Sequence, residues 1–242
     1  MAQFERQAYG RVGAGTGVAV DEGLRGYMLR VYNYMAIGLG ITGAVALGTA
    51  YMAMTSPAFA QAVYLSPLKW VIMLAPLGMV FFLSARISKM SLGGAQLAFW
   101  GFAALMGLSL SSIFLVFTGA SIARVFFITA ASFGALSLYG YTTKKDLSGW
   151  GSFLFMGLIG IILASIVNIF LGSSALQFAV SVIGVLVFAG LTAYDTQQIK
   201  EMYYVGDDGT VAGRKAVMGA LKLYLDFINL FIMLLNLFGS RD

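Results

Sequence analysis

The sequence has no cysteine, no histidine and three prolines, and charged residues fill only 10% of its 242 positions. Without cysteine there is no disulfide framework and no thiol nucleophile. Without either residue, structural zinc sites and imidazole general bases are excluded as well. The shortage of charge excludes more. A soluble domain is about 25% charged and 45–50% apolar, whereas 60% of this chain is hydrophobic. Ten carboxylates and fifteen Lys/Arg remain for chemistry. No loop exceeds ~18 residues, which leaves no room for a catalytic domain outside the membrane. No enzyme activity and no cofactor are expected. The composition is that of an integral membrane protein.

A helix needs ~20 mostly apolar residues to cross ~30 Å of hydrocarbon. Seven such segments run at approximately 31–54, 68–85, 93–117, 125–141, 151–171, 175–199 and 217–238. A β-barrel would alternate apolar and polar residues in ~10-residue stretches; runs such as LIGIILASIVNIFLG do not alternate. The expected fold is therefore all-α, a polytopic membrane protein with seven transmembrane helices. Residues 1–30 form a Gly-rich, mixed-charge leader, mobile to about Asp21, and residues 31–242 form the membrane domain. Ala58-Phe59-Ala60 resembles a signal-peptidase site. The apolar run before it, ~24 residues, is too long for the 7–15 of a signal peptide.

Basic residues set the orientation. Of the fifteen Lys/Arg, only Lys69, Arg124 and Arg241 fall on one side of the seven spans. The rest, including Arg25, Arg30, Arg86, Lys89, Lys144, Lys145, Lys200, Arg214 and Lys215, fall on the other. The positive-inside rule places that side, and the N-terminus, in the cytoplasm. The net charge of +5 then needs no nucleic-acid partner, because juxtamembrane Lys and Arg meet anionic lipid headgroups. Small residues at four-residue spacing, Gly40, Ala44 and Gly48 in span one and Gly160 and Ala164 in span five, are expected at close helix contacts. Pro76 should kink span two, and Tyr32, Trp70 and Trp150 fit interfacial belts.

Two carboxylates lie where a charge is expensive. Asp195 sits late in span six (AYDTQQIK) and Asp226 early in span seven (LYLDFINLF). Intramembrane charge costs ~2.5–3.5 kcal/mol or more, so such residues face the protein interior and serve a function. If span six runs to about Tyr203 and span seven starts near Ala216, the two lie about 12 and 15 Å from the same face, at depths that allow them to meet. In span seven, Lys215, Gly219, Lys222, Asp226, Asn229, Met233 and Asn236 follow steps of four and three and trace one stripe among Leu, Phe, Ile and Tyr. Such a stripe makes helix seven central and lines a polar, hydrated pathway. The plainer alternatives are interhelical hydrogen-bond glue from Asn229 and Asn236 and a structural ion pair from Lys222 or Arg86.

Two carboxylates sharing a site cannot both ionise cheaply, so the pair is the best proton sensor in a chain without His. It can also hold Ca²⁺, weakly and transiently, since two carboxylates fall short of its usual 6–8 oxygens. Intramembrane aspartyl proteases also pair two Asp, but Leu225-Asp226 lacks their Gly-x-Gly lead-in.

The segments AYDTQQIK, LYLDFINLFIMLLNLFG and KKDLSGWGSFL resemble signatures of the Bax inhibitor-1 family, the transmembrane Bax inhibitor motif proteins. GLRGYMLRVYNYMAIGLGITG resembles the start of its bacterial branch. The resemblance covers about residue 22 to the C-terminus. It implies seven helices with the last surrounded by the other six, and a pH-sensitive calcium leak. It also implies that Asp195 and Asp226 form the proton-sensing pair and that a basic residue at the cytoplasmic end of helix two, here Arg86, latches that pair. The basic tail of eukaryotic members is absent, which points to a bacterial cytoplasmic (inner) membrane. Some bacterial members suggest a different role, a non-conducting regulator that binds membrane proteases or other membrane proteins.

Overall fold

In a computed structural model the chain is all-α. The structure describes residues 22–241, with the backbone of the first helix continuing to Ala2; the mobility expected before Asp21 lies outside the described residues. Seven long helices follow in order: α1 (Ala2–Thr55), α2 (Leu68–Arg86), α3 (Leu92–Leu110), α4 (Gly119–Thr142), α5 (Gly151–Leu171), α6 (Ser174–Glu201) and α7 (Gly209–Phe238). Each is long and apolar enough to cross a membrane.

Local chemistry sets where the helices start and stop. Ser91, Thr118 and Ser173 accept the backbone N–H of Gly94, Ser121 and Leu176 and cap α3, α4 and α6. Asp208 accepts Thr210 N–H at 2.8 Å and Val211 N–H at 2.7 Å, so α7 begins at Gly209 and not near 217. The expected starts of spans one, four and seven were late for one reason: the helices continue through polar residues of the interface that hydropathy reads as loop. Gly172, at φ 58°, ends α5 in the left-handed conformation that glycine adopts without strain.

Helix α7 occupies the centre. Its apolar window is 67% buried, against 11% for α5 and 17% for α2. It packs chiefly on α1, α3, α4 and α6, while α2 leans on α3 and α5 on α6. The last helix is therefore central, with four of the other six as its main packing partners. Its buried face carries Tyr224, Leu223, Leu230 and Leu235, with Phe99 and Phe102 edge-on to the Tyr224 ring. The Tyr224 hydroxyl shares a 2.6 Å hydrogen bond with Thr42, which also donates to Ala103 O.

Close helix approaches do not fall at the expected small residues. Gly40, Ala44 and Gly48 lie on an exposed face, and a side chain at Gly40, Gly48 or Gly160 would touch nothing. The contacts are at Gly107, against Thr42 O, and at Gly140, against the backbone of Ala193. Four-residue spacing identifies a stripe but not the direction it faces. Tyr32 also departs from expectation. Because α1 starts well before residue 31, Tyr32 is half-buried in the bundle, hydrogen-bonded to Ser137 at 2.7 Å, while Trp70 and Trp150 are exposed near span ends.

Candidate functional site

Antiparallel α6 and α7 form the most extensive helix pair. Lys215 Nζ donates to Met202 O at 3.0 Å, which fixes the level where α6 ends beside α7. From that level Asp195 lies about 10 Å and Asp226 about 16 Å into the bundle at 1.5 Å per residue. Side chains tilt toward their own helix N-terminus. The N-terminus of α6 lies at the far face, so Asp195 leans inward; that of α7 lies at the near face, so Asp226 leans outward. The two tilts reduce the offset, and both carboxylates line one cavity. A carboxylate has no donor, so a hydrogen bond between them requires one proton.

Their surroundings differ. Asp226 is buried, 5% exposed, and its Oδ2 has no hydrogen-bond partner. The Asp195 side chain is 15% exposed, and its Oδ1 lies 3.5 Å from Lys222 Nζ, whose side chain is 42% exposed. At that distance and exposure the ion pair is weak. Lys222 lies one turn nearer the basic face than Asp226, on the same stripe.

Both carboxylates line a cavity of about 580 Å³ between α5, α6 and α7. It reaches the basic end of α5 at Ser148, Gly151 and Ser152 and continues past Tyr194 to Asn229, with Phe155, Leu158 and Phe188 as apolar walls. The space exists because α5 rests on α6 and stands off α7. Gln197 sets the position of that wall. Its Oε1 accepts Leu147 N–H and its Nε2 donates to Lys145 O, each at 2.8 Å. In the same turn Asp146 accepts Ser148 N–H at 2.8 Å, which holds its carboxyl below the usual range.

The sequence-derived site residues divide into three groups. Asp195, Asp226, Lys222 and Asn229 are brought together around the cavity. Asn229 Nδ2 donates to Leu225 O of its own helix at 2.8 Å and does not bridge helices with that bond. Met233 packs against Gly184 and Asn236 is half-buried beyond it; neither lines the cavity. Arg86 is not brought to the pair. It is exposed at the end of α2, which packs on α3, and makes no ion pair among the described residues. The link from α7 to the turn after α2 is Arg214, whose Nη1 donates to Ser88 O at 2.6 Å and to Met90 O at 3.1 Å. No group of three or more Asp, Glu, His and Cys that could hold a metal occurs among the described residues. Sequence reasoning missed Ser148, Ser152 and Gln197, and met Tyr194 only as the residue before Asp195. Tyr194 and Gln197 flank Asp195 within AYDTQQIK, and their polarity inside a span was the available signal.

Comparison with known proteins adds the relationship. The family described as inhibitor of apoptosis-promoting Bax1 matches residues 24–242. The inner membrane protein YbhL of Escherichia coli is 51% identical over 90% of this chain and 93% of its own. The uncharacterized protein RP147 of Rickettsia prowazekii is 50% identical over 91% and 92%. An uncharacterized membrane protein of Streptococcus pyogenes, SpyM3_0260, is 36% identical over 92% and 96%.

Proposed function

The chain belongs to the Bax inhibitor family of membrane proteins, and from that premise we propose that it is a proton-gated leak for cations, with calcium as its cargo. The observation that carries this reading is that Asp195 and Asp226 line one cavity, with Lys222 as the only cation paired to either carboxylate among the described residues. In the closed form, ionised Asp195 is held by Lys222 and α6 stays against α7. Acid supplies a proton to the pair, the weak attraction to Lys222 is lost, and the balance shifts toward a form in which α6 and α7 part around the carboxylates. Lys222 thus takes the part that the family resemblance assigns to Arg86. Calcium passes through transient contact with carboxylate, amide and hydroxyl oxygens, and so sparse a set suits conduction better than storage.

The seven spans and the inner membrane relative support a place in a bacterial cytoplasmic membrane. The distribution of Lys and Arg supports a cytoplasmic N-terminus. The deciding experiment is calcium influx into dye-loaded liposomes between about pH 6 and 8, wild type beside Asp195→Asn. Acid-stimulated influx that loses its pH dependence in the variant is expected. No influx at any pH, from folded protein, would end the channel reading and favour the regulator of membrane proteases or other membrane proteins.

A further inference from the structure

The cavity that holds the carboxylate pair stops part-way along the stripe of α7, and the residue at which it stops is defined. Lys222, Asp226 and Asn229 line it; Met233 and Asn236, the next two stripe positions, do not. Met233 lies about 10 Å beyond Asp226 along the helix. There α6 presents Gly184, which is buried, and the thioether fills the place of the missing side chain. A Cβ at Gly184 would lie 2.7 Å from Met233 Sδ and 2.8 Å from its Cγ. One turn nearer the pair, Phe188 is 3% exposed and lines the cavity wall. A polar stripe is therefore interrupted at one level by an unbranched apolar side chain seated in a notch of the facing helix.

From this geometry we propose that Met233, docked in the notch at Gly184, is the hydrophobic seal that separates the Asp195–Asp226 cavity from Asn236 at the far end of the α7 stripe. The inference rests on the pathway reading above and adds where the path is shut. An apolar constriction gates by excluding water, with no charged group needed at that level. Met suits the task because its three rotatable bonds let it leave the notch without backbone rearrangement. The seal and the proton-sensing pair lie on the same two helices, with Gly184 and Asp195 about 16 Å apart along α6. Separation of α6 from α7 at the pair is thereby transmitted to the seal.

The absence of cysteine provides the test, because each introduced thiol is unique. Asn229→Cys and Asn236→Cys are exposed to a membrane-impermeant cationic thiosulfonate applied on the face that carries Lys144 and Lys145. The thiol at 229 reacts, and the thiol at 236 does not. Adding Met233→Ala, or Gly184→Ala to displace the thioether from the opposite helix, speeds reaction at 236 from that face by roughly ten-fold or more. If one variant does not fold, the other serves. The seal is overturned if position 236 reacts from that face with Met233 and Gly184 intact, or stays unreactive in the folded variants. Thiol labelling requires neither calcium flux nor pH dependence. A channel that fails to conduct while 236 follows this pattern discards the leak and retains the seal.

Discussion

At the scale of single residues, the two members of the pair are unequal, and each suggests its own experiment. Asp226 is the costly member, because its buried Oδ2 has no partner. A buried unsatisfied polar group costs about 1–3 kcal/mol. Asp226→Asn removes the charge while keeping the shape and adding a donor. Its unfolding midpoint in detergent at about pH 8 is expected to equal or exceed that of the wild type; a clear fall would mean that the carboxylate has a partner the geometry does not reveal. Asp195 has the Lys222 contact. If that contact holds the closed form, Lys222→Met leaks calcium at about pH 8, where wild type is tight, whereas Lys222→Arg stays tight because the charge survives. A Lys222→Met protein that remains tight at high pH and opens normally in acid removes Lys222 from the gate. Asp195 and Asp226 were legible in the sequence because a charge inside an apolar run has few explanations. Arg86 was not correctly placed, because its depth can be read from the sequence but the side of the bundle on which α2 packs cannot.

At the scale of elements, glycine has value only where another backbone arrives. Gly140 lies under Ala193 of α6, so Gly140→Ala must push α4 and α6 apart. A cost of roughly 1–3 kcal/mol is expected in thermal or denaturant unfolding. Gly40→Ala and Gly160→Ala meet open space and should stay within about 0.5 kcal/mol of wild type. Equal losses at all three positions would refute the packing described. The turn before α5 responds to pH. Asp146 is ionised and holds Ser148 N–H, and its lowered pKa means that this support is complete above the ordinary carboxylate range near pH 4. It is lost as the pH falls through the lower folded value. Exchange protection at the Ser148 amide should therefore persist at neutral pH and vanish only in strong acid, separately from any change at the buried pair. Persistence of that protection in an Asp146→Ala protein, which has no acceptor there, would count against the assignment. The spans themselves were legible because ~20 apolar residues have one use. Their polar first turns, such as those from Glu22 and from Gly209, were not, since helix propensity and capping continue past the end of the hydrocarbon.

At the scale of the whole molecule, burial divides the bundle into a packed centre and a loose wall. The centre is α7 with α1, α3, α4 and α6; α5 is only 11% buried over its apolar window and faces the cavity with Ser152, Phe155 and Leu158. Its exposed surface faces lipid, and it is held to the bundle through α6. Opening at the α6–α7 contact, as proposed above, carries α5 with α6, so locking α5 to α6 should leave the path able to open. The geometry for doing so exists: an ideal Cβ at Gly157 lies 3.9 Å from Val187 Cβ, inside the 3.5–4.5 Å of a disulfide. The chain has no other cysteine to compete. A Gly157→Cys, Val187→Cys protein should therefore leak in acid whether reduced or oxidised. Loss of the leak on oxidation, with recovery in reductant, would mean instead that α5 must leave α6 for the path to open. The opening would then not lie at the α6–α7 contact, where Met233 meets Gly184.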